Sequence, residues 1–277
     1  MSDAPQSSEP APSSTEAHVV HHRVHLLGVD GKPGKTLTLP AAFSEAIRPD
    51  LIRRAVVAAQ SRRRQPHGTT PTAGRRHSVE WSGKGKGVAR TPRLMDSNRG
   101  AQSPNTVGGA PAHPPRTATL WAKAINDRER RRAFRSALAA TRELTLVRQR
   151  GHSVPDDSHL PFVVDTPLEG IGSTAEARTL LEKLHLWGDV DRANDGRHQR
   201  AGRGKRRGRR RRQPRSLLVV TAEPDKALGF RNLPGVDVVA VGRLGTEDLA
   251  PGGDPGRLTI FSQAALDRIA GRTGEAA

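Results

Sequence analysis

The sequence predicts an α/β fold: a mainly parallel sheet covered by helices on both faces, with a long basic loop and a basic insertion added to it. Three observations predict it. Past Gly151, short continuous apolar runs at residues 162–165, 216–221, 236–240 and 258–261 alternate with stretches of helical spacing. Strands apolar on both faces belong to parallel sheets buried between helix layers. Between Gln60 and Trp121, about 60 residues lack either apolar period and carry a steady load of cations. Compact domains rarely hold such a loop beyond about 15 residues unless it is functional or disordered. A second cationic run, residues 192–215, interrupts the alternation just before its most apolar strand.

The elements follow in order. Residues 1–17, rich in Ser, Pro, Ala and Glu without a basic-then-apolar signal, are expected to be a disordered tail, ahead of one α/β domain over 18–277. Residues 19–27 read as a strand, Asp30-Gly31-Lys32-Pro33-Gly34 as a turn, and 36–39 as the return strand of a hairpin. Asp50 is expected to cap a helix running to Arg64, with Leu51, Ile52, Ala55, Val56 and Ala59 as its apolar stripe. Arg62, Arg63 and Arg64 close it, where the helix dipole favours cations. The extended basic loop occupies 65–120. Asn126 with Glu129 forms a capping-box pattern opening the next helix. Phe134, Ala137, Leu138, Thr141, Leu144 and Val147 line its inner face, and Arg128, Arg131, Arg132, Arg135 and Arg142 occupy the others. After the strand at 162–165, Ser173 and Glu176 box a helix through Leu184. The strand at 258–261 leads into a helix capped by Ser262.

Charge selects the partner. The chain holds 46 Lys and Arg against 28 Asp and Glu, a net of +18. Residues 61–124 carry twelve cations and two acids (Glu80 and Asp96), and residues 192–215 carry twelve and one (Asp195). Those blocks net +10 and +11, so the rest of the chain nets −3. Charge confined in this way is the footprint of nucleic-acid binding. Five Phe, three Trp and no Tyr are too few for the stacking platforms of a single-strand binder, which favours the backbone and shape of folded RNA. Zero cysteine excludes disulfides, thiolate catalysis and Cys-based zinc sites, and fits a reducing, intracellular setting. No apolar run approaches the roughly 18 residues of a membrane span, so no membrane partner is expected.

Other chemistries fail on spacing. Gly28 and Gly34 are separated by five residues, which breaks the Gly-x-x-x-x-Gly-Lys pattern of a P-loop, and Leu37-Thr38-Leu39-Pro40 opens no helix. Gly83, Gly85 and Gly87 follow no strand and precede no helix, so a dinucleotide site is not expected there. They read instead as backbone lying flat against a second surface while Lys84 and Lys86 reach phosphates. His18, His21, His22 and His25 would split between two faces of a strand, so no metal is expected. No nucleophile elbow, His-Glu-x-x-His or paired carboxylates occur; no catalytic residue and no cofactor are assigned. The expected RNA contacts are Arg62, Arg63, Arg64, Arg75, Arg76, Lys84, Lys86, Arg90, Arg93, Arg99 and Arg116. A second clamp comprises Arg203, Lys205, Arg206, Arg207, Arg209, Arg210, Arg211 and Arg212. An RNA-modifying α/β enzyme of methyltransferase type and a free RNA-binding regulator are the rival readings.

Six ordered landmarks carry a resemblance. They are residues 81–94; Ala112-His113-Pro114-Pro115; 125–141; 202–214; Phe230-Arg231-Asn232-Leu233-Pro234-Gly235-Val236-Asp237; and Glu247-Asp248-Leu249-Ala250-Pro251-Gly252-Gly253. With them the chain resembles the large-subunit ribosomal protein number four family, in its archaeal and eukaryotic form, from about Val19 to Arg272. The resemblance implies a three-layer α/β/α domain and a structural, non-enzymatic constituent of the large subunit of cytoplasmic ribosomes. Its partners would be large-subunit rRNA, neighbouring ribosomal proteins and the nascent polypeptide. It also implies that the loop tip helps line the nascent-peptide exit tunnel. By motif match that tip is Gly83, Lys84, Gly85, Lys86, Gly87, Val88, Ala89 and Arg90, with Trp81 at its shoulder.

Overall fold

A computed structural model describes residues 22–156 and 158–273. The expected tail, His18 and His21 lie outside the described residues. The chain forms two compact units, Ala58–Ala124 and the flanking residues up to Val57 and from Ile125 onward.

The flanking residues build a six-stranded sheet. β1 (Arg23–Leu27) pairs antiparallel with β2 (Pro33–Thr38), and Gly31 at φ +76° makes the turn that joins them. The first of the next elements, α1 (Pro49–Arg62), starts with proline, whose fixed φ suits a first helical position. Further along the chain, beyond the second unit's short strands β3 (Val79–Trp81) and β4 (Pro92–Leu94), come α2 (Asp127–Ala140), α3 (Leu144–Gln149) and β5 (Phe162–Val164). Then follow α4 (Thr174–Lys183), α5 (Trp187–Asp195), the short β6 (His198–Gln199) and β7 (Arg211–Arg212), and β8 (Leu218–Thr221). The chain closes with β9 (Asp237–Ala240), α6 (Thr246–Leu249), β10 (Thr259–Ser262) and α7 (Gln263–Thr273).

Sheet order is β2-β1-β5-β10-β8-β9, and every pairing except β1 with β2 is parallel. Side-chain alternation builds three layers. Val163, Leu218, Val220 and Phe261 face Ile52 and Val56 of α1, Phe134, Ala137 and Leu138 of α2, and Ala265, Leu266 and Ile269 of α7. Phe162, Val164, Val219 and Ile260 face the other way, onto Val147 of α3, Leu180 and Leu181 of α4 and Val190 of α5. Both faces bury large apolar side chains, each contributing about 1.5–3 kcal/mol, so neither helix layer is dispensable. The expected α/β fold with a mainly parallel sheet covered on both faces is therefore the observed one.

Local details differ at helix ends. Asp50 lies inside α1 and accepts from the Arg48 guanidinium at 2.7 Å, and the helix stops at Arg62, leaving Arg63 and Arg64 beyond it. Asn126 occupies the N-cap of α2 but makes no side-chain capping bond; Glu129 is drawn to Arg54 at 2.9 Å, so no capping box forms. The helix expected to reach Val147 breaks after Ala140. There Thr141 Oγ1 donates to Leu138 O at 2.7 Å, a side-chain bond that takes over a helical carbonyl. Ser173 and Ser262 do cap, accepting from Ala175 N at 3.3 Å and Ala265 N at 3.1 Å.

Candidate nucleic-acid interface

The unit Ala58–Ala124 is ordered by backbone turns rather than by a core. β3 and β4 pair antiparallel, Val79 with Leu94 and Trp81 with Pro92, and Arg93 bridges to Gly100. This hairpin departs from the expected absence of strands; three-residue strands are too short to show a period. Gln102 Nε2 donates to Arg75 O at 3.2 Å and His77 O at 2.6 Å, tying two loops together. At the ends of the unit, His67 stacks on Trp121 at 4.8 Å, the Arg64 guanidinium lies 5.9 Å from the indole centroid, and Ser61 Oγ accepts from Lys123 N at 2.9 Å.

The apolar side chains buried in this unit are small ones: Ala58, Pro92, Ala101 and Ala110. Of its larger ones, Val79, Leu94 and Trp121 are half-buried and the others face solvent, with Trp81 65% exposed, Met95 70%, Val107 84% and Leu120 93%. A segment that buries so little apolar surface gains little from folding alone, and its cations repel each other. A surface that buries Trp81 and neutralises the cations would supply both missing terms.

At the tip, Gly83, Gly85 and Gly87 adopt φ of +66°, +84° and +63°, and a Cβ at any of them would meet no atom within 4 Å. The glycines are needed for left-handed backbone, which makes the tip a coiled turn rather than the flat ribbon expected from their alternation. Lys84, Lys86, Val88 and Arg90 are exposed on that turn. Arg62, Arg63, Arg64, Arg75, Arg76, Arg99 and Arg116 are exposed as well, and Arg76 Nε donates to Thr72 Oγ1 at 3.2 Å. Arg93 differs: its guanidinium donates to Asn98 O at 2.9 Å and Ala89 O at 3.4 Å, holding the hairpin's own carbonyls.

The second cationic segment is a small hairpin. β6 and β7 pair His198 with Arg212 and Gln199 with Arg211, Arg200 N donates to Arg210 O at 2.8 Å, and a 3₁₀ turn over Gly202–Arg207 joins them. Arg203, Lys205, Arg206, Arg207, Arg209, Arg210, Arg211 and Arg212 lie on this hairpin, and all eight are exposed on a segment with no buried residue in its turn. Its neck is fixed to the sheet through Asp189, which is fully buried. Asp189 Oδ1 accepts from Ser153 N at 3.1 Å and Arg192 Nε at 2.9 Å; Oδ2 accepts from His152 Nδ1 at 3.0 Å and Ser216 Oγ at 2.7 Å. Arg192 also donates to Arg215 O at 2.9 Å, so one carboxylate joins the two ends of the hairpin. Burial pushes the Asp189 carboxyl up, but hydrogen bonds from His152, Arg192 and Ser216 outweigh it and hold the group at about 2. Burial lowers His152, against the opposing pull of Asp189, and Nδ1 is the donor because an ionised carboxylate can only accept. Alongside, the buried Arg257 donates to Ser216 O at 3.1 Å, Asp248 O at 2.9 Å and Asp237 Oδ2 at 2.6 Å. Sequence reasoning singled out neither Asp189 nor Arg257. Only a buried charge inside an apolar pattern signals them, and both sit outside the strong strands.

The carboxyl edge of the parallel strands, where open α/β sheets bind ligands, is filled by the chain itself. Glu169 Oε1 accepts from Ala222 N at 2.7 Å, just past β8, and from Ser262 Oγ at 2.6 Å, at the end of β10. Gly28 belongs to the β1–β2 turn, donating to Lys32 O at 3.0 Å. Among the described residues no group of three His, Cys, Asp or Glu is placed to hold a metal, and no helix is long and apolar enough to cross a membrane.

Comparison with known proteins adds lineage to this geometry. The model of the ribosomal protein L4/L1 family matches residues 37–272. A Methanopyrus kandleri protein named large ribosomal subunit protein uL4 is 47% identical over 256 residues, covering 90% of this chain and 98% of that protein. Proteins of the same name from Methanoregula boonei and Halobacterium salinarum are 45% and 43% identical, covering 88% and 90% of this chain and 97% and 100% of their own lengths.

Proposed function

We propose, for a chain that belongs to the ribosomal protein L4/L1 family and is a structural constituent of the large ribosomal subunit, that two basic hairpins grip large-subunit rRNA and one presents its tip to the nascent polypeptide. The protein is a structural member of its family and not an enzyme. The observation that carries the proposal is the inverted packing of Ala58–Ala124, in which small side chains are buried while Trp81, Met95, Val107 and Leu120 are exposed among cations. Phosphates neutralise the cations, and the surrounding RNA covers the apolar side chains. The unit's folding free energy is thereby coupled to binding.

The hairpin at residues 198–212 acts differently. Its neck is set before RNA arrives, so binding spends little on ordering the segment's ends. At the tip of the other hairpin, Lys84, Lys86, Val88 and Arg90 surround a left-handed turn with open space at each glycine, and that shape leaves room for a passing peptide. The test is a photo-crosslinking residue introduced at Val88 in assembled subunits that hold a stalled nascent chain. The expected product joins position 88 to the peptide; crosslinks to rRNA alone would contradict the tunnel assignment.

A further inference from the structure

Outside the two cationic blocks the chain nets −3, yet one surface there is strongly basic. Arg128, Arg131 and Arg132 stand at i, i+3 and i+4 on the 14-residue α2, which places them as neighbours on one ridge, and all three are exposed. Like charges at that spacing weaken a helix, so the ridge gains nothing from folding alone. The helix has two acids, and neither relieves it: Asp127 is held by Arg130 at 2.9 Å and Glu129 by Arg54 at 2.9 Å. Nearby cations with structural work show what a partnered one looks like. Arg135 donates to Thr273 O at 2.5 Å, and Arg272 lies 4.5 Å over the Phe134 ring. Among the described residues, Arg128, Arg131 and Arg132 have no hydrogen-bond or ion-pair partner.

We infer that this α2 ridge is a third phosphate-binding site for RNA, carried by the sheet-bearing unit on residues that belong to neither basic hairpin. The inference rests on the RNA-binding reading above. Three guanidinium forks within one helical turn match phosphate oxygens, which accept bidentate hydrogen bonds without any sequence readout. A protein partner would require an apolar centre to its contact, and the exposed positions of α2 from Asp127 to Arg132 offer only charged side chains. The opposite face of α2 is buried through Ala133, Phe134, Ala137 and Leu138, so the ridge is held rigidly before it meets a ligand.

The test uses the full chain and deproteinised large-subunit rRNA, with affinity followed against salt. In the triple variant Arg128→Gln, Arg131→Gln, Arg132→Gln, the slope of log affinity against log salt should fall by about two units, at 0.7–0.9 per neutralised phosphate. A triple Lys variant should keep the slope and the wild-type urea midpoint, and the Gln variant should unfold at that midpoint or slightly above it, since it relieves the like-charge repulsion. An unchanged slope in a folded Gln variant overturns the ridge assignment while leaving the hairpins' role intact. A wild-type chain whose binding ignores salt would instead overturn the RNA-binding reading itself. A Gln variant with normal slope that fails to enter large subunits would assign the ridge to an acidic protein, which also overturns the inference.

Discussion

Asp189→Asn is the sharpest perturbation of the neck beneath the second hairpin. The carboxylate offers two oxygens to four donors, Ser153 N, Arg192 Nε, His152 Nδ1 and Ser216 Oγ. Asparagine has one acceptor oxygen and turns an NH2 group towards donors, so two of the four lose their partner. Each buried unsatisfied donor costs about 1–3 kcal/mol, giving an expected loss of about 3–5 kcal/mol near neutral pH. The pH dependence sharpens the test. Folding lowers this carboxyl from 3.8 to about 2, so its contribution is complete above about 3.8 and fades as pH falls towards 2. At 1.36 kcal/mol per unit that contribution is about 2 kcal/mol. Urea denaturation of wild type and variant should therefore show a gap that narrows by about 2 kcal/mol between pH 6 and pH 2. A gap below 1 kcal/mol at pH 6, or one that does not narrow, would refute the assignment of Asp189 as an ionised hub.

Further outcomes follow from the same geometry. Arg257→Met strands Asp237 Oδ2 and the carbonyls of Ser216 and Asp248 and should cost about 3 kcal/mol by urea denaturation. Gly109→Ala drives a Cβ into Ser103 O, so in the assembled subunit amide exchange at Ala110, which donates to Gln102 O, should quicken while β8 and β10 stay protected. Replacing the eight cations between Arg203 and Arg212 with Gln should reduce the salt slope of rRNA binding by about 0.7–0.9 for each phosphate left unneutralised, and an unchanged slope would make that hairpin a solvated loop.

The parallel strands were legible because each is apolar on both faces; Leu218, Val219 and Val220 satisfy two helix layers at once. Ser173 and Ser262 were legible as caps because their partners lie two and three residues away. The Asn126 capping box was not, since Glu129 answers to Arg54 from another helix, and local pattern contains no such competitor. Long separations hid the neck too: Asp189 collects donors from residues 152, 153, 192 and 216, which no spacing rule joins. Charge tallies located both hairpins, yet they averaged away the α2 ridge against acids that sit elsewhere. Within the candidate interface, exposure of the expected cations was legible from composition; the inward turn of Arg93 onto Asn98 O depends on a hairpin with strands too short to read.

Amide hydrogen exchange across residues 62–118, compared between the RNA-free chain and the assembled large subunit, addresses the central claim most directly. In the free chain these amides should exchange far faster than those of β8 and β10, and inside the subunit they should slow sharply. Protection equal to the sheet's in RNA-free protein would contradict the coupling of this unit's order to RNA, as would fast exchange that persists after assembly.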